Sequence, residues 1–255
     1  MGSTQGTLEE TYAFETIDLP SKGAFYPEGS PLKGGTIDIR YMTAKHEDIL
    51  TSTNLIQKGI VIDKLIDSLI ATKGVTSNDL LTGDLNAVMV AARILGYGKD
   101  YPISVECPNC GEEVEEVFDL TTLGTVNEPI GTPAQRLTIV LPISKATVEL
   151  RLLTRKDELD ALKEAKALQK ASVEVSSQNT AKLRAMIASV NGDSSKATIW
   201  KFVDTLLVRD SMFIKEEYKK IVPDVDFSIQ VSCTCSDSLV EARLPIGSSF
   251  FWPDA

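Results

Sequence analysis

The chain has 255 residues, of which 43% are apolar and 24% charged, with a net charge of −10. That apolar share and moderate charge exclude a largely disordered chain, and the length suffices for a core without disulfide staples. Thirty-six acidic against 26 basic residues argue against a nucleic-acid-coating protein, and a single histidine, His46, removes most histidine chemistry.

Residues 1–10 are polar and lack the basic-then-apolar layout of a secretory signal. The longest apolar stretch, residues 87–95, contains Arg93 and is too short to span a bilayer. The expectation is a protein folding in a reducing cytoplasm, without a membrane partner, where thiols stay free or bind metal. Residues 1–35 read as an extended N-terminal arm, because Pro20, Gly23, Pro27, Gly29, Pro31, Gly34 and Gly35 forbid a persistent helix. Leu19, Phe25 and Tyr26 are apolar cargo that a solvated linker lacks. Either the arm lies on its own domain or it docks on a neighbouring subunit, which makes these three candidate partner-binding residues.

From residue 36 the pattern is regular. Residues 36–42 alternate as a half-buried strand, and Thr43 is a candidate N-cap for a helix running to Leu55. Ile62, Leu65, Ile66, Leu69 and Ile70 predict one amphipathic helix. Leu85, Val88, Met89, Ala92 and Leu95 predict another, closed by Gly96 and Gly98. Residues 101–106 and 113–120 predict two strands around Cys107-Pro-Asn-Cys110-Gly111.

The second half repeats the plan. A shift of 111 overlays Arg40, Thr43, Lys45 and Glu47 on Arg151, Thr154, Lys156 and Glu158. A shift of 126 overlays Asp84, Asp100, Ile103, Val105 and Cys107 on Asp210, Asp226, Ile229, Val231 and Cys233. The 15-residue difference predicts an insertion around residues 172–182. Leu183, Met186, Ile187 and Val190 predict a helix ended by Gly192, Ile199 to Leu207 a second after Ser194 or Ser195, and residues 212–221 a third that begins at Asp210. The expected class is therefore α+β: two related units of strand, helices and Cys-bearing β-hairpin, preceded by the arm. Expected boundaries are 1–35 for the arm, 36–123 and 137–247 for the units, 124–136 for the linker and 248–255 for an aromatic tail. Phe250, Phe251 and Trp252 in that tail either tuck into the core or anchor a partner.

All four cysteines lie in two short clusters, Cys107-x-x-Cys110 and Cys233-Thr-Cys235, each after an Ile-x-Val-x-Cys strand. Four thiolates are the complement of a closed structural Zn²⁺ site, with no open position for a catalytic water. The 122 intervening residues far exceed the spacing of a compact ribbon, and equivalent hairpins of two units facing each other would repair this. Reduced bystander thiols and a redox pair are the competing readings. No helix follows the first pair to lower a thiol pKa. No phosphate loop, nucleophile elbow or nucleophile–base arrangement is present, so no enzyme and no small-molecule substrate are expected. His46 is expected to be exposed. Arg40 and Arg151 are each expected to pair with the glutamate seven residues on, as structural glue.

The runs at residues 19–27, 39–50, 84–98 and 105–110 together resemble one family, the baseplate proteins of T4-like contractile-tailed phages, the group of hub and hub-assembly subunits. The likeness covers most of residues 15–125 and recurs at 151–158. It implies a non-enzymatic part of the tail baseplate, made in the bacterial cytoplasm, partnered by other baseplate and tail subunits and located in the virion. A transient hub assembly chaperone absent from the particle is one alternative. A zinc-ribbon nucleic-acid-binding regulator is another, disfavoured by charge and by the lack of basic residues near either cysteine pair.

Overall fold

The computed structural model describes residues 14–107, 109–129, 137–171, 178–235, 239–246 and 248–251. Strand β1 (Phe14–Asp18) pairs antiparallel with β2 (Thr36–Arg40), with Phe14 opposite Arg40 and Asp18 opposite Thr36. Ile37 and Ile39 alternate inward from β2 and are buried. The connecting loop closes on itself through Leu19 N–H to Gly35 O, 2.8 Å. Gly23 is needed there: a Cβ would lie 2.3 Å from the Lys33 carbonyl oxygen.

Three short helices follow, α1 (Ala44–Leu50), α2 (Thr53–Lys58) and α3 (Val61–Leu69), then the longer α4 (Thr82–Tyr97). The predicted helix from Thr43 to Leu55 is thus two helices. The chain turns at Thr51, whose hydroxyl caps the Glu47 carbonyl, and restarts after Ser52. His46 is half-buried rather than exposed: its Nδ1 accepts from Thr43 N–H at 2.8 Å and closes the cap of α1. Strands β3 (Asp100–Glu106) and β4 (Glu113–Asp119) form a hairpin in the predicted place, followed by the short β5 (Thr125–Val126).

In the second half, β6 (Thr138–Val140) pairs antiparallel with β7 (Thr147–Leu150), and α5 (Arg155–Ala171) and α6 (Gln178–Met186) follow. The third strand of that sheet is β8 (Ile187–Val190), where the periodicity predicts helix. The run Ile-Ala-Ser-Val carries β-branched residues at both ends and joins the free edge of β7, so sheet pairing overrides the helical spacing. Next come α7 (Lys196–Asp204), capped by the Ser195 hydroxyl, and α8 (Val208–Ile221). Then follow β9 (Asp224–Val225), the hairpin β10 (Ser228–Val231) with β11 (Val240–Arg243), and a 3₁₀ turn at Ser248–Phe251. Among the described residues, eight helices and eleven strands in small antiparallel sheets make this an α+β protein. Among the described residues no helix is long and apolar enough to cross a membrane.

The element starts keep the sequence offsets. Helices α1 and α5 begin at 44 and 155, and α4 and α8 at 82 and 208. Ile70, which bridges Ile39, and Ile187, which pairs with Leu150, lie 117 apart, between those two offsets. Residues 172–177, within the expected insertion, lie outside the described residues.

The two halves share one core and several direct contacts. β5 pairs with β9, and Leu81 bridges Thr154 through Thr82 N–H to Leu153 O (3.1 Å) and Arg155 N–H to Leu80 O (2.9 Å). Arg155 holds both carboxylate oxygens of Asp63, at 2.7 and 3.1 Å. Arg40 does not pair with Glu47: it donates to the Ile70 carbonyl. Arg151 pairs with Asp157 and not Glu158, because Asp157 is already turned back to cap Thr154. Glu158 instead faces Arg155.

Candidate metal centre

The side-chain parity of the two hairpins positions the cysteines. Along β3, Tyr101, Ile103 and Val105 point inward, and Cys107 continues that face, 1% exposed. Along β10, Ile229 and Val231 point inward and Cys233 continues, 7% exposed. The second cysteine of each pair, Cys110 and Cys235, is exposed. In the first hairpin the turn is fixed by Cys107 N–H to Glu112 O and by Gly111 N–H to Cys107 O, both 2.8 Å, with Gly111 at φ +76°.

The four sulfurs meet although 122 residues separate the pairs. Cys107 Sγ lies 3.7 Å from Cys235 Sγ, Cys110 Sγ lies 3.6 Å from Cys233 Sγ, and all four fall within 4.8 Å of one another. These contacts are too long for disulfides, whose S–S bond is about 2.05 Å, and all four cysteines are free. A tetrahedron with metal–sulfur bonds of about 2.3 Å has sulfur–sulfur edges of about 3.8 Å, so the spacing fits a four-thiolate site.

The thiols do not share one acidity. Cys107 is lowered to about 7, chiefly by the backbone N–H of Cys110 and then by that of Asn109. Cys235 is raised, first by its contact with Cys233 and then by Cys110. For Cys110 the Glu112 N–H pulls downward, but desolvation and the contacts with Cys233 and Cys107 leave it raised. Four negative sulfurs at this separation repel, and a divalent cation among them is what would let all four ionise.

The aromatic and arm residues have other roles. Leu19 and Tyr26 are buried, and Phe25 is half-buried against the same core. The described part of the arm lies on its own domain: β1 pairs along all of β2. Phe250 and Phe251 are buried as well, with Phe250 edge-on to Tyr101 at 5.1 Å and Phe251 edge-on to Phe250 at 5.3 Å. Leu19, Tyr26, Phe250 and Phe251 thus pack into this chain's own core, while Phe25 keeps part of its surface open. Trp252 lies outside the described residues.

Asp84, legible in the sequence only as a repeat match, and Asp210, read there also as a helix start, organise the two halves. Asp84 is fully buried and accepts from Ser21 N–H (2.9 Å), Ser21 Oγ (2.7 Å) and Tyr26 OH (2.7 Å), tying α4 to the β1–β2 loop. Asp210 is fully buried and accepts from Ile143 N–H and Ser144 N–H, both 2.9 Å, tying α8 to the β6–β7 loop. Burial raises the Asp84 pKa beyond what its hydrogen bonds offset. Burial also pushes Asp210 up, but the two N–H groups outweigh it and hold the carboxylate below its ordinary range.

A cleft of about 620 Å³ beside the junction of the halves is lined by Leu153, Met186, Tyr218, Lys182, Lys215 and Lys219 among others. It does not include the cysteines. A family model described as T4 bacteriophage base plate protein matches residues 11–252, nearly the whole chain. No curated protein and no solved structure matches it.

Proposed function

This chain belongs to the T4 bacteriophage base plate protein family, and we propose that it is a structural subunit of the hub region of a contractile-tail baseplate. A phage baseplate role is what the family carries. The hub position, retention in the virion and action through protein contacts without catalysis are the finer reading. The observation that supports a building part is the construction of the cysteine site: two ligands from each half, the first of each pair buried, and no fifth donor among the described residues. Such a site is a clamp. We propose that Cys107, Cys110, Cys233 and Cys235 hold one structural Zn²⁺, which joins two hairpins that neither disulfide nor continuous sheet connects.

The two halves read as copies of one unit, with boundaries near residues 36–123 and 137–247. In this reading the described part of the preceding segment supplies the first strand of the first copy. Mass spectrometry of purified phage particles tests the structural role. The chain is expected at a fixed ratio to the other tail proteins. Its absence from complete particles, with assembly failing when it is deleted, would replace the structural reading with a transient assembly factor.

A further inference from the structure

The start of α4 and the start of α8 are equivalent positions with opposite surroundings. In the first half, Leu81, Gly83 and Asp84 are buried, Thr82 donates to Leu153 O, and Asn86 donates to Asp224 Oδ1 at 2.8 Å. A Cβ on Gly83 would lie 1.9 Å from Pro223 O, so the fit is close. The socket around this turn belongs to the second half: residues 153–155 on one side and 223–225 on the other.

An offset of 126 carries Leu81, Thr82 and Asn86 to Leu207, Val208 and Met212. These are 51%, 75% and 54% exposed, and Ile143, held beside them by its N–H to Asp210, is 41% exposed. Where the covered turn has threonine and asparagine, the uncovered one has valine and methionine. A face meant for water alone would show the reverse preference. The socket has its own counterpart, also open. Residues 42–44 correspond to 153–155 and residues 97–99 to 223–225, and Ala44, Gly98 and Lys99 are exposed. The sizes are complementary too. Where Gly83 meets Pro223 and Asp224, the exposed Arg209 would meet Tyr97 and Gly98, and Gly98 has nothing within 4 Å of a Cβ position. Exposed Glu47 lies near enough to Tyr97 to act on its hydroxyl, which offers Arg209 an opposite charge.

We infer that the first turn of α8 docks on a second copy of this chain, in the socket formed by residues 42–44 and 97–99, repeating between copies the contact made inside each one. The two faces differ, so the contact is head-to-tail and closes a ring or extends a row. It rests on the correspondence of the two halves and not on the metal or the virion role.

The test is sedimentation of the full chain over a wide concentration range, with Val208→Glu and Ala44→Glu made separately. Both sites are exposed, and unchanged thermal melting shows that each variant folds. Self-association is expected for the unsubstituted chain and is expected to weaken tenfold or more in either variant, about the effect of 1.4 kcal/mol. An equimolar mixture of the two variants is expected to form dimers and stop there, since each retains one intact face. A chain that stays monomeric at all concentrations, variants that associate as before, or a mixture that stays monomeric would each overturn the inference.

Discussion

Each half of this chain places a buried aspartate in the first turn of a long helix, yet the two sites differ. Asp84 receives three hydrogen bonds from a loop of seventeen residues between β1 and β2, and its charge is still destabilised by burial. Asp210 receives two backbone N–H groups from the six-residue β6–β7 turn and is held ionised. The helix start at Asp84 is covered by the second half, whereas the one at Asp210 is open. The start of α4 is thus built inward against the second half, whereas the start of α8 keeps its face outward. The cysteine hairpins are where the halves act alike, each giving two sulfurs to one cluster.

The largest expected effect breaks this last symmetry. Cys107→Ser and Cys233→Ser remove a ligand from different halves. Each is expected to cost on the order of 5 kcal/mol and to lower the melting temperature by about 10–20 °C. The double variant is expected to cost scarcely more than either single one, because the site fails as a unit. Calorimetry of the three variants measures this, and additive losses would show that the hairpins do not share one ion.

A smaller effect separates the two buried tyrosines at the junction. Tyr26 OH donates to Asp84 and accepts from Leu81 N–H at 2.9 Å, whereas Tyr218 OH accepts from Leu153 N–H at 3.0 Å. Tyr26→Phe leaves a buried carboxylate and a buried N–H short of a partner and is expected to cost about 2–4 kcal/mol. Tyr218→Phe orphans the N–H alone and is expected to cost about 1–2 kcal/mol. Denaturant unfolding gives both values, and the reverse order would remove the special role assigned to Asp84.

The smallest effect is in pH dependence, and its sign differs between the halves. Asp210 is depressed, so its stabilisation is full above the ordinary aspartate value of about 3.9 and is lost as pH falls through its folded value. Asp84 is raised, so its contribution is present below the ordinary value and is lost as pH rises through its folded value. Carbon-13 titration of the two carboxyl groups is expected to place Asp84 above Asp210. Unfolding of Asp210→Asn is expected to lose the part of the acid sensitivity that Asp210 supplies.

Much of this was legible in the sequence because local chemistry carried it. Thr43 and Thr154 both begin helices, and the offsets of 111 and 126 fall on the starts of α1 with α5 and α4 with α8. The hairpins could be placed because Ile-x-Val-x-Cys sets inward parity. What failed depended on contacts distant in sequence or on ambiguous short runs. Nothing local shows that Tyr26 reaches across 58 residues to Asp84, so the sequence left open whether the arm lies on its own domain or on a neighbour. Phe250 needed Tyr101 to explain its burial. Ile187 to Val190 fits helical and strand spacing equally, and the open edge of β7 decides it. Arg93, at first a break in an apolar stretch, is buried with its guanidinium over Tyr97 and Tyr101.

The proposed ion joins the halves through four thiolates. Its most direct measurement is the metal content of the full chain, purified without added metal, by elemental mass spectrometry. One zinc per chain is expected, falling to a small fraction of that in Cys107→Ser and in Cys233→Ser alike. A folded chain carrying no stoichiometric metal, or one that keeps its zinc when either cysteine is replaced, would contradict it.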